Sequence, residues 1–320
     1  MSSLESSRQP GYVALWESGE LARRARVLAE GLEACMLCPR RCGVNRHAGK
    51  TGACGVDAEP RVAAVNIHPW EEPPIAGTRG SGTIFFSGCT LKCVFCQNYP
   101  ISQMGVGRRM SVEELAESML GLQAKGAHNI NLVTAGHQAA AFVGALVHAA
   151  SRGLRIPVVY NTSGFETVET LRLFEGVVDI YLPDIKYSDP EMAKRYSGRS
   201  DYVEVNRKAL LEMWRQTGSL KVDENGVAWR GVLVRHLVLP AGLSGTGDCL
   251  DFLLAGMGKG VWVSLMNQYF PAYRAHEIPP LDRKTSEEEY EAAFSRMTAL
   301  GIHNGFVQLT PDDDDTLPCG

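Results

Sequence analysis

Seven of the nine cysteines in this chain fall between residues 35 and 96, in two tight groups. Cys35, Cys38, Cys42 and Cys54 form the first, and Cys89, Cys93 and Cys96 the second. Cys249 and Cys319 stand apart. An odd number of thiols at such local spacing does not make a disulfide framework; it suits metal or iron–sulfur chemistry in a reducing compartment. Whatever the chain folds into must therefore present soft ligands at two places. With 320 residues, 45% of them hydrophobic, it has core enough for one large domain or a domain with a small appendage. A net charge of −4 leaves no basic footprint, so nucleic acid is not an expected partner. No stretch reaches the roughly 20 apolar residues of a membrane span, and the opening MSSLESSRQPG lacks the positive head and apolar run of a signal peptide. A soluble, cytoplasmic protein without a membrane partner is expected.

Residues 18–34 read as an amphipathic helix, with Leu21, Ala25, Leu28 and Leu32 on one face. A Gly- and Arg-rich cysteine module follows, and Pro and Gly reach linker density over 68–82. From residue 83 the texture changes. Short β-branched runs at 83–87, 129–134, 156–160, 178–182, 231–239 and 260–265 alternate with helical patterns at 112–125, 138–152, 166–174, 201–216 and 244–257. A last helix near 287–300 precedes a short run at 306–309, and Ser111 with Glu114 forms a capping box. This alternation predicts βαβ units and a parallel sheet with right-handed crossovers. About 225 residues suit six units, an open (βα)6 barrel, better than the ~250 of a full eightfold one. The expected organisation is an α/β fold: helix and Cys-rich module over 1–65, linker over 66–82, partial barrel over 83–310, and a solvated acidic tail over 311–320 that includes Asp312–Asp315.

Cys89, Cys93 and Cys96 make a C-x3-C-x2-C motif directly after the first barrel run, GTIFFSG. Three thiolates hold three irons of a cubane and leave the fourth open, whereas electron-carrying clusters usually have a cysteine at every iron. The loop after a first strand lies on the face where such barrels place their chemistry, and Phe95 is placed to shield one side of the cluster. The motif and its flanks, SGCTLKCVFCQNYPIS, resemble the radical S-adenosylmethionine (SAM) superfamily, in particular its pyruvate formate-lyase activating enzyme-like branch. A structural zinc knuckle is the bland alternative.

The resemblance runs over the barrel and is carried by motifs. In the branch a polar stretch ends the third strand, and here Asn161-Thr162-Ser163-Gly164 occupies that place. Asp184 and Lys186 match a D-x-K at the end of the fourth strand, and Arg235 matches an arginine in the fifth. The resemblance implies that Lys186 and Arg235 hold the SAM carboxylate, with Asn161, Ser163 and Asp184 completing the polar site; charge-assisted hydrogen bonds suit that task. The turn after strand two departs from the family. It reads Thr134-Ala135-Gly136-His137, without the usual glutamate, so Gly136 and His137 are the expected holders of the SAM amino group.

Cys35, Cys38, Cys42 and Cys54 lie within twenty residues, threaded by Arg40, Arg41, Arg46 and three glycines. Four soft ligands close a zinc tetrahedron or an all-thiolate [4Fe–4S] cluster, and unligated buried thiols are the third option. The x3 gap between second and third ligands differs from paired C-x2-C zinc ribbons. Cys249 reads as a packed small hydrophobe and Cys319 as incidental. Glu71, Glu72 and His68 read as a solvated loop, while Asn267, Gln268 and Tyr269 follow strand six on the catalytic face.

The resemblance thus implies a radical SAM oxidoreductase with a [4Fe–4S] cluster and SAM as cofactors, and a second Fe–S cluster or zinc as a further possibility. A flavodoxin or ferredoxin would donate the electron, and the substrate would be a glycine of a partner enzyme. Radical modification of another peptide or a small molecule is the alternative within enzymes. A non-catalytic Fe–S electron-transfer protein is the alternative outside them, and the three-cysteine barrel motif argues against it.

Overall fold

The β-branched runs become strands that are buried on both faces, because helices cover the outside and side chains from neighbouring strands fill the inside. In the computed structural model, which describes residues 8–308, Val158–Thr162 is wholly buried, and so is Ile180–Pro183. Ten strands are named here in chain order: β1 Arg61–His68, β2 Ser81–Phe86, β3 Arg108–Arg109, β4 Ile130–Val133, β5 Val158–Thr162, β6 Ile180–Pro183, β7 Lys221–Val222, β8 Ala228–Leu237, β9 Trp262–Met266 and β10 Gly305–Val307. Their order across the sheet is β10-β9-β8-β6-β5-β4-β2-β1-β3, with β7 paired to β8. All neighbours from β2 to β10 along this path run parallel. The connecting helices sit between them, as the expected α/β partial (βα)6 barrel requires.

The helices, in chain order, are α1 Gly11–Glu17, α2 Glu20–Glu30, α3 Pro73–Ala76, α4 Tyr99–Ser102, α5 Val112–Ala124, α6 Ala139–Ser151, α7 Val168–Leu173, α8 Pro190–Ser197, α9 Tyr202–Thr217, α10 Thr246–Met257 and α11 Glu287–Ala299. The capping box at Ser111 and Glu114 is present at the start of α5. Sequence periodicity did not reveal α1, the two short helices α3 and α4, or α8. The acidic tail, Cys319 and the end of the 306–309 run lie outside the described residues.

The largest difference from the sequence reading concerns residues 61–82. Arg61–His68 is a strand, antiparallel to β2 with His68 opposite Ser81 and Val62 opposite Phe86. It crosses the expected boundary at residue 65, and its half-exposed course next to the short outer strand β3 hid it, since neither face is continuously buried. The Pro-rich stretch that follows is no free linker. Ile75 packs with Val159, Ile180, Leu182 and Leu233 of the barrel strands, and its carbonyl accepts a 2.8 Å hydrogen bond from Asn129 Nδ2. Proline density here marks a short plug whose backbone bonds are met locally.

Candidate functional site

The chain turns sharply after β2 at Gly88, whose φ of 83° suits glycine. The loop that carries the cysteines is then held by backbone bonds from several elements. Lys92 N–H donates to Ser197 O at 3.2 Å and Val94 N–H to Tyr196 O at 2.8 Å, both at the end of α8; Arg274 N–H donates to Val94 O at 2.9 Å. Phe95 is buried edge-on to Tyr187 and Tyr269, with ring centroids 6.5 and 6.0 Å away. The loop therefore arrives at the cavity as a braced piece of backbone.

Cys89, Cys93 and Cys96 all line one cavity of about 1120 Å³. Cys93 Sγ lies 2.9 Å from Ser197 Oγ, Cys96 Sγ lies 3.1 Å from Ser102 Oγ, and Leu91 N–H donates to Cys89 Sγ at 3.4 Å. Such contacts stabilise thiolate charge. Burial and the neighbouring Cys93 push the Cys89 thiol up to about 12, so a metal has to displace its proton on binding. The three cysteines line one cavity, each with a polar contact at its sulfur, and three soft ligands around one space fit a multi-iron cluster.

Asn161, Ser163, Asp184, Lys186 and Arg235 line the same cavity, each at or beyond the end of a parallel strand except Arg235, which lies within β8. Lys186 Nζ donates to Asp184 Oδ2 at 2.5 Å. Burial works against the Lys186 charge, but Asp184 and Cys93 together outweigh it and hold the amine above its ordinary range. Arg235 faces three carboxyl groups as ion pairs, with Nε 3.3 Å from Glu72 Oε1 and 3.6 Å from Asp184 Oδ1 and Nη1 3.9 Å from Glu71 Oε2, while its buried Nε makes no hydrogen bond. It too stays charged despite burial, chiefly because of Glu72.

Glu71 and Glu72 are thus not a solvated loop. Their side chains are each 9% exposed, and burial together with Glu72 raises the Glu71 carboxyl far above its ordinary range. Glu72 Oε2 and His68 Nδ1 are buried without a hydrogen-bond partner. The only warning in the sequence was a pair of acids just before the cluster strand. Glu71, Glu72 and Asp184 share the two cations Lys186 and Arg235, and the raised Glu71 carboxyl is the one that keeps its proton most readily.

Gly136 and His137 do not reach this cavity. The chain after Thr134, which does line it, rolls into a single 3₁₀ turn over Gly136–Gln138. His137 is turned away, with Nε2 2.8 Å from Ser87 O and its carbonyl accepting from Arg46 Nη1 at 2.5 Å. Burial lowers its imidazole to about 4, so it is neutral. It is a structural brace between the barrel and the first cysteine group, because the short turn leaves no length to swing the ring inward. Gln268 lines the cavity, while Tyr269 is buried with its hydroxyl donating to Leu281 O at 2.7 Å. Cys249 is buried in α10 as expected.

No helix among the described residues is long and apolar enough to cross a membrane. An uncharacterized protein of Methanocaldococcus jannaschii is 33% identical over 267 residues, which span 81% of this chain and 72% of that protein. Two solved structures show a weak likeness. One is TYW1 with a lysine-pyruvate adduct bound, at TM-score 0.44 and 10% identity, covering 78% of this chain and 86% of that one. The other is Streptococcus suis SuiB bound to precursor peptide SuiA, at TM-score 0.43 and 12% identity, covering 69% and 46%. The radical SAM superfamily model matches residues 83–219, from the cluster strand through α9. The matched segment opens on the strand that leads into the cysteine loop, and residues 83–219 form a radical SAM superfamily domain.

Proposed function

We propose that this protein takes a hydrogen atom from the Cα of a glycine in a partner enzyme, using the radical made in its cysteine-lined cavity. A domain of this superfamily brings a [4Fe–4S] cluster and SAM, which together supply reductive cleavage of SAM to methionine and a 5′-deoxyadenosyl radical. Cys89, Cys93 and Cys96 hold three irons in this reading and leave one for an outside ligand. Lys186 receives the SAM carboxylate, with Arg235 behind it, and Asn161 and Ser163 face the rest of the molecule. The observation that carries the reading is that all these groups share one 1120 Å³ space. Small-molecule sites usually occupy about 300–1,000 Å³, so the cavity has room for SAM and a segment of substrate. A flavodoxin or ferredoxin is the proposed electron donor.

The second reading is radical modification of another peptide or a small molecule held in the same cavity. Anaerobic reconstitution followed by reduction with SAM should yield 5′-deoxyadenosine, and Cys89→Ala, Cys93→Ala or Cys96→Ala should each abolish it. If one of the three is dispensable, the ligand assignment is wrong. With a partner enzyme deuterated at glycine Cα, the 5′-deoxyadenosine should carry deuterium; unlabelled product would reject glycine in favour of the second reading.

A further inference from the structure

One cluster of nucleophilic side chains lies outside the cavity just described. Cys35, Cys38, Cys42 and Cys54 line a second, small pocket, floored by apolar residues and closed by Arg46. The backbone draws them together. Cys35 N–H donates to Val44 O and Gly43 N–H to Cys35 O, both at 3.0 Å, while Arg41 N–H donates to Cys38 O at 3.0 Å. Cys42 Sγ rests against Gly52, where an added Cβ would come within 2.8 Å of the sulfur. Ala53 N–H donates to the same sulfur at 3.4 Å.

We propose that these four cysteines ligate a second [4Fe–4S] cluster. The charge of Arg46 is the independent pointer. Its side chain is 3% exposed, and it donates to the carbonyl oxygens of Asp57 and His137, with Nη1 3.8 Å from Cys35 Sγ. Among the described residues it has no carboxylate partner. A buried cation without a counter-charge is costly, and a site of four thiolates carrying net negative charge supplies one. Free, protonated thiols would not.

Iron–sulfur is favoured over zinc by the ligand spacing. The 35–54 run, with x3 between its second and third ligands, lacks the paired C-x2-C knuckles of a zinc ribbon. N–H donors facing Cys42 and Cys35 are the contacts by which proteins tune cluster sulfurs.

The test removes the barrel ligands, so its result does not depend on the proposed reaction. A variant with Cys89→Ala, Cys93→Ala and Cys96→Ala is prepared without oxygen, reconstituted with iron and sulfide, and analysed for iron, sulfide, zinc and visible charge-transfer absorbance. About four irons and four sulfides per chain are expected, and adding Cys38→Ser and Cys54→Ser should remove them. Stoichiometric zinc without sulfide, absence of any metal, or iron retained after the added serines would each overturn the proposal. If the triple variant does not fold, the reconstituted parent chain decides. About eight irons support two clusters, and about four contradict them.

Discussion

Arg40, from within the first cysteine group, donates through Nε to the carbonyl oxygen of Thr90 at 2.7 Å, inside the loop that carries the second group. The two sets of thiols are therefore fastened to one another by a charge-assisted bond. Removing it with Arg40→Ala deletes a contact of the kind worth about 1.5–3 kcal/mol when buried, and less at this half-buried position. The expected result is faster loss of iron from the 89–96 loop to a chelator, by several-fold, with the folded content unchanged. Equal rates would mean that the bond does not brace the loop.

Lys186 and Arg235 should separate on substitution. Lys186→Ala should leave iron content intact and weaken SAM binding by about ten- to a hundredfold, measured by equilibrium binding to the reconstituted protein. Arg235→Ala removes the cation facing Glu71, Glu72 and Asp184. Breaking a buried ionic cluster from one side costs about 3–5 kcal/mol, so this variant should lose thermal stability as well as SAM affinity. Unaltered SAM affinity in both would leave the pair with a purely structural role.

Glu166 offers a pH test. Burial raises its carboxyl to about 7 against the pull of Thr162 and Tyr160, whose hydroxyls both donate to Oε1, while Oε2 has no partner. A carboxyl whose pKa is raised on folding stabilises the fold fully below its ordinary value. It loses that contribution as pH climbs through the folded value. Stability should therefore fall between pH ~4.5 and ~7.5 on account of this group, by roughly 2–3 kcal/mol. Glu166→Gln keeps the Oε1 acceptor and cannot ionise, so its unfolding free energy should be flatter across that range. A slope identical to the parent's would refute the assignment.

Asp179 joins the N-terminal helix to the base of the barrel. Its Oδ1 accepts from Gly11 N–H and its Oδ2 from Val158 N–H, both at 2.9 Å. Pro10, at the cap of α1, offers no side-chain bond, so Asp179 caps that helix from a distance. Asp179→Ala should strand two amides and cost about 2–4 kcal/mol in denaturant unfolding. Hydrogen exchange should quicken first along α1, and protection unchanged there would show that the cap is idle.

Local pattern carried the barrel strands because each is a short β-branched run buried on both sides, and it carried the C-x3-C-x2-C loop because metal ligation is written in spacing. Asp184 and Lys186 came instead from resemblance to a D-x-K at a strand end, and both line the cavity. What escaped was settled by distant partners. β1 depends on its pairing between β2 and the short outer strand β3, and the plug at Ile75 depends on a space that only the closed strands create. Glu71 and Glu72 read as solvated until Arg235, more than 150 residues later, supplies their counter-charge. His137 was misjudged because a sequence shows that a turn exists but not which way it rolls.

Gly88 has a further consequence. A Cβ there would stand 2.3 Å from Cys54 O, so at this point the N-terminal module meets the barrel backbone to backbone, and any larger residue at 88 would push the two apart. The cavity opens on the other side, where Trp70, 85% exposed, stands in its lining. An indole at that threshold would change its emission as cargo passes, which makes arrival something the protein itself reports.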